Sequence, residues 1–328
     1  MKTPRLWVTI DKRGFSRESL KRLLEYDIAG IRINTGRCSY AWIYEMLEEL
    51  NKLNYPLSQI LLDIGNTKPR LNLADKNGLE LENESLFSIS SQAKDGVNAV
   101  LLHHRFFKEV NLNDVVYFGD GEIEAIVEEI NQSTVILRSL SSGRLGNNVA
   151  IGIKGKDFFK FLIDEKEISE VNLLLYRFPI SLILSFIESG DNLVWAKKVF
   201  PQAASIIPKI ETVAAVFNIQ SILVQSETIF VGRGDLGLSL GIEKIGIIQK
   251  EIILKAREAG CKISIGTGTL DSLKWSKTPL RAEVIDITNS CLEGIDYITL
   301  TSETAASQTP FKVLDLLKQI LDYIKSID

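Results

Sequence analysis

Short apolar runs alternate along this chain with stretches whose apolar positions recur every three or four residues. Leu6–Ile10 reads as a strand. Ser16 can cap a helix that carries Leu20 and Leu23, and Gly30–Ile33 reads as the next strand. From about Ala41 to Leu53, the residues Trp42, Ile43, Met46, Leu47 and Leu50 form a stripe at helical spacing. Gln59–Asp63 is the third strand candidate. Strands and helices in this order predict a parallel sheet with right-handed crossovers.

The rhythm changes between Leu71 and Gly155. The runs there are short, rich in Val and Ile, and punctuated by turns. Val115–Phe118, Glu122–Glu128 and Thr134–Ser139 are separated by Gly119-Asp120-Gly121 and Asn131-Gln132-Ser133. The alternation then resumes, which favours a small inserted β domain over extra strands of one sheet. Asp164-Glu165-Lys166 opens a helix. Ser181–Ile187, Ser205–Ile210, Thr228–Val231, Lys262–Ile265 and Tyr297–Thr301 read as strands. Asn192–Phe200, Glu243–Ala259, Arg281–Leu292 and Thr309–Ile327 read as helices. About eight strands alternating with helices predict an α/β fold of the (β/α)₈ barrel type. Residues 1–70 and 156–328 would form the barrel, and residues 71–155 the inserted β lid domain. The last helix, Thr309–Ile327, carries an apolar face that is a candidate homodimer contact.

Composition narrows the classes of function. Apolar residues make up 45% and charged residues 24%, ordinary for a globular protein. The net charge of -4 gives no general attraction for nucleic acid or an anionic membrane. An anionic substrate would need a local cluster of positive charge or a metal. The start of the chain resembles no signal peptide, and no apolar run reaches membrane-spanning length. Cys38, Cys261 and Cys291 are widely spaced with no CxxC pair, so a reducing cytoplasm is the expected location. The two histidines, His103 and His104, lie among Leu101, Leu102, Phe106 and Phe107, which reads as packing rather than a zinc site or a Ser-His-Asp triad.

In a (β/α)₈ barrel, chemistry gathers just past the carboxy ends of the strands. The residues at those ends are unusually polar. They include Arg32 and Asn34; Asp63, followed by Lys68 and Arg70; Ser185-Phe186; and Lys209 with Glu211. Three further segments complete the set: Gly232-Arg233-Gly234-Asp235, Gly266-Thr267-Gly268-Thr269 and Thr301-Ser302-Glu303-Thr304. Each alone reads equally well as a barrel-end salt bridge. Together they are hard to explain as packing. Glu211 and Asp235 are hard oxygen donors of the kind that suit Mg²⁺. The basic residues suit a phosphate or a developing enolate.

These segments resemble the pyruvate kinase family. Ile207-Pro208-Lys209-Ile210-Glu211 is similar to its I-S-K-I-E, and Val231-Gly232-Arg233-Gly234-Asp235-Leu236-Gly237 to V-A-R-G-D-L-G. Pro279-Leu280-Arg281-Ala282-Glu283 is similar to P-T-R-A-E, Ser302-Glu303-Thr304-Ala305 to G-E-T-A, and Arg32-Ile33-Asn34 to R-M-N. The likeness runs from about Arg5 to the end of the chain. It implies a catalytic lysine at Lys209, a phosphoryl contact at Arg32, and a divalent metal, Mg²⁺ or Mn²⁺, on Glu211 and Asp235. It implies that the Gly234 and Asp235 amides with Thr267 bind the substrate carboxylate, Thr267 also serving the proton step. Phe186 would wall the pocket, and Arg70 would reach nucleotide phosphates, with Asn34 at the same site. Asn34 and Asp63 would be what remains of a monovalent-cation site. The resemblance implies phosphoenolpyruvate or pyruvate as substrate and ADP or ATP as its partner.

The departures carry information too. T-I-G-P-A-S becomes Thr9-Ile10-Asp11-Lys12-Arg13-Gly14, N-F-S-H-G becomes Asn34-Thr35-Gly36-Arg37-Cys38, and D-T-K-G becomes Asp63-Ile64-Gly65-Asn66. These changes fall on the nucleotide and K⁺ positions. Lys68 stands where K⁺-independent members of the family carry lysine, so no K⁺ requirement is expected. Ile285 replaces a serine of the proton relay, with Asp286 next. No carboxy-terminal regulatory domain is expected. Three readings follow: phosphotransfer from phosphoenolpyruvate to a nucleoside diphosphate; metal-enolate chemistry without nucleotide, such as oxaloacetate decarboxylation; or a non-catalytic binding protein.

Overall fold

The structure is a computed structural model that describes residues 3–65, 68–119, 121–156, 158–305, 307 and 309–327. Asn66 and Asp120, both in the motifs above, lie outside the described residues, as does the side chain of His104. The chain divides into two compact units. One comprises residues 1–66, 161–236 and 244–328, the other residues 67–160 and 237–243.

The first unit is a closed barrel of eight parallel strands. They are β1 (Arg5–Thr9), β2 (Ile28–Asn34), β3 (Ile60–Ile64), β4 (Ser181–Leu184), β5 (Ile206–Ile210), β6 (Thr228–Gly232), β7 (Lys262–Gly266) and β8 (Tyr297–Leu300). Each pairs with its neighbours in chain order, and β1 pairs with β8 to close the ring. Strands covered on both faces need apolar side chains on both. That is why β3 and β4 are buried throughout and read as continuous apolar runs. The helices bury one stripe each. In Tyr40–Lys52 it is Ile43, Met46, Leu47 and Leu50, capped at the amino end by Ser39.

The inside of the barrel is filled rather than hollow. Trp7, Leu61, Ile183, Ile207 and Phe230 form one buried layer, with Ala29 and Tyr297 packed against it. Trp7 stacks on Tyr297 at 4.6 Å and meets Phe230 edge-on at 6.3 Å.

In the final helix, Pro310–Ser326, the apolar stripe buries Val313, Leu314, Leu317, Leu321 and Ile324. The stripe read as a dimer contact is therefore spent on the barrel's own packing. Among the described residues no helix is long and apolar enough to cross a membrane.

The second unit is built on a seven-stranded sheet and a separate two-stranded pair. Its central strands, Ile123–Asn131 and Thr134–Ser139, are antiparallel and alternate buried with partly exposed positions. That is the pattern of a sheet with one face on a core. His103 belongs to this unit and lies against the Phe158 ring at 5.3 Å.

The interior layer yields a stability prediction. Phe230→Ala should cost about 3–5 kcal/mol, read as a lower urea midpoint at unchanged slope. A loss below about 1 kcal/mol would mean that the layer is not a stabilising plug.

Candidate active site

The period of a β-strand is two residues, so the side chain two places beyond each member of the apolar layer shares its face. Those side chains are Thr9, Asp63, Ser185 and Lys209, with Gly232 above Phe230 and Thr299 above the adjoining Tyr297; on β2 the adjoining Ala29 is followed by Ile31, and Arg32 joins the polar set from the next position. One step along the barrel axis, the interior changes from apolar to polar. The polar layer lies at the carboxy ends of the strands, where barrels place their chemistry.

Asp63 is its centre and is fully buried. Arg32 donates to its Oδ2 from Nε at 2.8 Å and Nη2 at 2.6 Å, while Nη1 donates to Thr9 Oγ1 at 2.9 Å. Ser185 Oγ donates to Asp63 Oδ1 at 2.9 Å. Lys209 Nζ lies 3.4 Å from Asp63 Oδ2 and 2.9 Å from Glu211 Oε1. Both cations also lie near the Phe230 ring, at 5.6 Å for Lys209 and 6.0 Å for Arg32.

The charges shift one another. Burial alone would lower the Lys209 pKa, but Asp63 and Glu211 outweigh it and hold the ammonium above its usual value. Burial pushes the Glu211 carboxyl up to about 7, opposed by Lys209 and reinforced by Asp235 and Asp63. The pair is uneven: the lysine is held in its charged form and the glutamate is not. Lys209 touches two carboxylates, whereas Glu211 has one cation beside it and feels two other acids. Lys209 is the secure charge, and Glu211 is the group that a further cation would keep ionised.

Glu211 is fixed on both sides. Its Oε2 accepts the Phe186 backbone N–H at 3.2 Å. A Cβ on Gly232 would stand 2.7 Å from Oε1, so the close approach of β6 requires glycine there. Phe186 is buried and has a φ of 56°, having left the end of β4 in the left-handed region.

Asp235 sits in the first turn of the helix Arg233–Leu240, which begins directly after β6. Glu211 and Asp235 are within electrostatic reach of each other. Among the described residues no group of three or more His, Cys, Asp or Glu could hold a metal. Two carboxylates without a third protein ligand do not suit a closed zinc site. They fit Mg²⁺ or Mn²⁺, which complete their shell with water and substrate oxygens. Thr267 follows β7, and its Cγ2 would be 3.0 Å from a Cβ on Gly234, so the two positions adjoin.

The remaining predicted residues make contacts of their own. Asn34 ends β2 opposite Asp63 in the ladder, and its Oδ1 accepts the Gly36 N–H at 2.9 Å. Lys68 and Arg70 belong to the second unit. Lys68 Nζ is 5.6 Å from the centre of the Phe159 ring, and Arg70 Nη1 donates to the Asn148 carbonyl at 2.9 Å. In the altered segment after β1, Asp11 is buried and accepts from Arg13, through the backbone N–H at 2.8 Å and Nε at 2.9 Å.

Sequence reading missed Glu167, in the helix Glu165–Arg177. Its carboxylate accepts Thr35 Oγ1 at 2.8 Å and the Gly65 N–H at 3.3 Å, tying together the loops after β2 and β3. No spacing in the sequence marks it, because its partners are about a hundred residues away.

The structure is thus a (β/α)₈-barrel protein with a buried charge cluster at the carboxy ends of its strands. The family model "Pyruvate kinase, barrel domain" matches residues 2–314, and the chain belongs to that family. It is 26% identical over 332 residues to pyruvate kinase 2 of Synechocystis sp., covering 98% of this chain and 56% of that protein. It is also 26% identical over 329 residues to the pyruvate kinase of Thermotoga maritima, covering 98% and 70%. The chain thus spans little more than half the length of the first of these relatives. Crystal structures of pyruvate kinases from Cryptosporidium parvum and Pyrobaculum aerophilum share the fold, with TM-scores of 0.84 and 0.82 at 24% identity. They cover 99% and 98% of this chain and 70% and 73% of their own.

Two predictions follow from the geometry. Asp63→Ala leaves two buried cations short of their shared partner and should cost about 3–5 kcal/mol of stability in chemical denaturation. A cost under about 1 kcal/mol would show that the cluster is not held through Asp63.

The second concerns pH. Burial raises the Glu167 carboxyl above its ordinary value, despite the hydrogen bonds from Thr35 and Gly65. The folded state therefore keeps this proton longer than the unfolded state does. Its contribution to stability is lost as pH climbs from the ordinary carboxylate range through the raised value. Glu167→Gln should gain stability relative to the parent as pH rises through and above the ordinary carboxylate range. Parallel stability profiles for the two proteins would refute the shift.

Proposed function

We propose that this chain is a phosphotransferase that moves the phosphoryl group of phosphoenolpyruvate to a nucleoside diphosphate, releasing pyruvate from an enolate. The observation that carries this reading is the buried cluster of Arg32, Asp63, Lys209 and Glu211, with Asp235 in electrostatic range. Family membership supports it.

The chemistry asks for charge placed in advance. An enolate and a transferring phosphoryl group both carry negative charge that grows during reaction. Fixed cations in a water-poor mouth stabilise it at little reorganisation cost. Lys209, held on Asp63 and Glu211, would face the enol oxygen and the phosphoryl group. Arg32, locked by Asp63 and Thr9, would orient the phosphoryl oxygens. The amides of Gly234 and Asp235 would bind the substrate carboxylate, Phe186 would wall the pocket, and Thr267 would serve protonation of the enolate through water. Mg²⁺ or Mn²⁺ held by Glu211 and Asp235 would neutralise charge on the substrate oxygens. Arg70 and Asn34 are assigned to the nucleotide by resemblance. With Lys68 in the sequence, no K⁺ is required.

A second reading rests on the loop after β1. The Asp11–Arg13 pair closes that segment on itself. A site with less use for a nucleotide would need only the enolate machinery and would decarboxylate oxaloacetate or a related keto acid.

The test is a coupled pyruvate assay with Mg²⁺, offering phosphoenolpyruvate with each nucleoside diphosphate, or oxaloacetate alone, with and without K⁺. Nucleotide-dependent pyruvate supports the first reading, and pyruvate from oxaloacetate alone supports the second. Lys209→Met should lower turnover on the order of 10²–10³-fold. Turnover near the parent's would remove Lys209 from its role.

A further inference from the structure

Thr267 has a φ of 75° and Gly268 one of 74°. For glycine this is free; for a β-branched residue it is strained and persists only where the surroundings enforce it. The enforcing groups are visible. Arg233, the first residue of its helix, has a side chain only 11% exposed. Its Nε and Nη2 donate to the Thr267 carbonyl at 3.0 and 2.7 Å, and Nη2 reaches Thr269 Oγ1 at 3.3 Å. Its Nη1 pairs with Asp286 Oδ2 at 2.6 Å, from the helix Arg281–Glu293.

The far end of the same loop is held by an anion. Glu303, fully buried, accepts the Thr269 N–H at Oε1 at 3.1 Å. Its other oxygen takes the Thr301 N–H at 2.6 Å and the Thr301 hydroxyl at 2.9 Å. Thr267-Gly268-Thr269 is therefore strung between a guanidinium and a carboxylate, with Gly234 against the Thr267 methyl. A planar fork gripping one carbonyl from two nitrogens fixes direction as well as distance, which a lysine could not do.

We infer that Asp286, acting through Arg233, together with Glu303, forms a clamp of positioning residues that holds Thr267 in its left-handed conformation and so aims its hydroxyl at the substrate. None of the three need touch the substrate. The functional half of this inference rests on the enolate reading above.

Two measurements separate the clamp from that reading. The first is amide hydrogen exchange in the parent, Asp286→Ala and Asp286→Asn, without substrate. In Asp286→Ala, exchange at Gly268 and Thr269 should rise on the order of tenfold or more while the amides of β6 and β8 stay protected. Asp286→Asn keeps an acceptor for Arg233 and should lie between. Unchanged exchange at Gly268 and Thr269 overturns the clamp, whatever the activity.

The second is a double-mutant cycle on turnover with Thr267→Ala. Asp286→Ala alone should lower kcat about tenfold or more with KM for phosphoenolpyruvate shifted less than about threefold. In the Thr267→Ala background it should add almost nothing, because the group it positions is gone. A full, additive loss in that background overturns action through Thr267. A parent with no turnover on phosphoenolpyruvate or oxaloacetate overturns the enolate reading and with it the functional half, while exchange still decides the clamp.

Discussion

Asp63 is the one group without which the mouth of the barrel could not keep its charges. A buried arginine and a buried lysine are each costly to remove from water unless a carboxylate meets them at close range. Asp63 meets both and takes the Ser185 hydroxyl on its other oxygen. Its partners come from β2, β5 and the residue after β4, so the cluster exists only when four neighbouring segments hold their register. That register is set one layer below. A one-residue slip of β3 would turn Leu61 and Asp63 away from the interior together, because alternate side chains face opposite sides of a strand. The apolar plug and the charged mouth are two consequences of one alignment.

The charge balance of the mouth is uneven by design of its residues. Arg32 and Lys209 stand against Asp63, Glu211 and Asp235, two cations against three acids, one negative charge in excess when all are ionised. Burial raises the Glu211 pKa, and the two neighbouring acids add to that rise against the pull of Lys209. This group of five is therefore short of positive charge by itself, while Arg32 and Lys209 stay fixed on Asp63. This is a different state from a simple salt-bridged barrel end, where opposite charges cancel and nothing further is needed.

Much of this was legible in the sequence because barrel geometry turns position along a strand into position in space. Continuous apolar runs marked strands covered on both faces, and Arg32, Asp63, Lys209 and Glu211 stood out as polar residues at the ends of such runs. What remained hidden were contacts made across the chain. Asp286 shows nothing in its own neighbourhood that points to Arg233, and Glu167 reaches loops about a hundred residues earlier. Phe186 looked like a pocket wall, yet its backbone N–H fixes Glu211. The segment after β6 was legible as a polar strand end, but not that a helix, Arg233–Leu240, starts there despite its glycines. The final helix was read as having a face to spare. Its stripe is the right width for a helix that packs on a barrel, and periodicity alone does not say against what.

The pairing of β1 with β8, Arg5 opposite Tyr297, has a consequence for how the protein comes into being. Thr9 and Arg32 leave the ribosome early, but the ring they belong to cannot close until the last strand is made. Until then β1 has one neighbour missing, the aromatic stack of Trp7 on Tyr297 does not exist, and two charged strand ends have no complete low-dielectric surround. Joining segments so distant along the chain carries an entropic cost, and a chain that lacks the last strand leaves the mostly apolar β1 without one of its two neighbours. The same closure that makes the site dry ties it to both ends of the barrel's sequence.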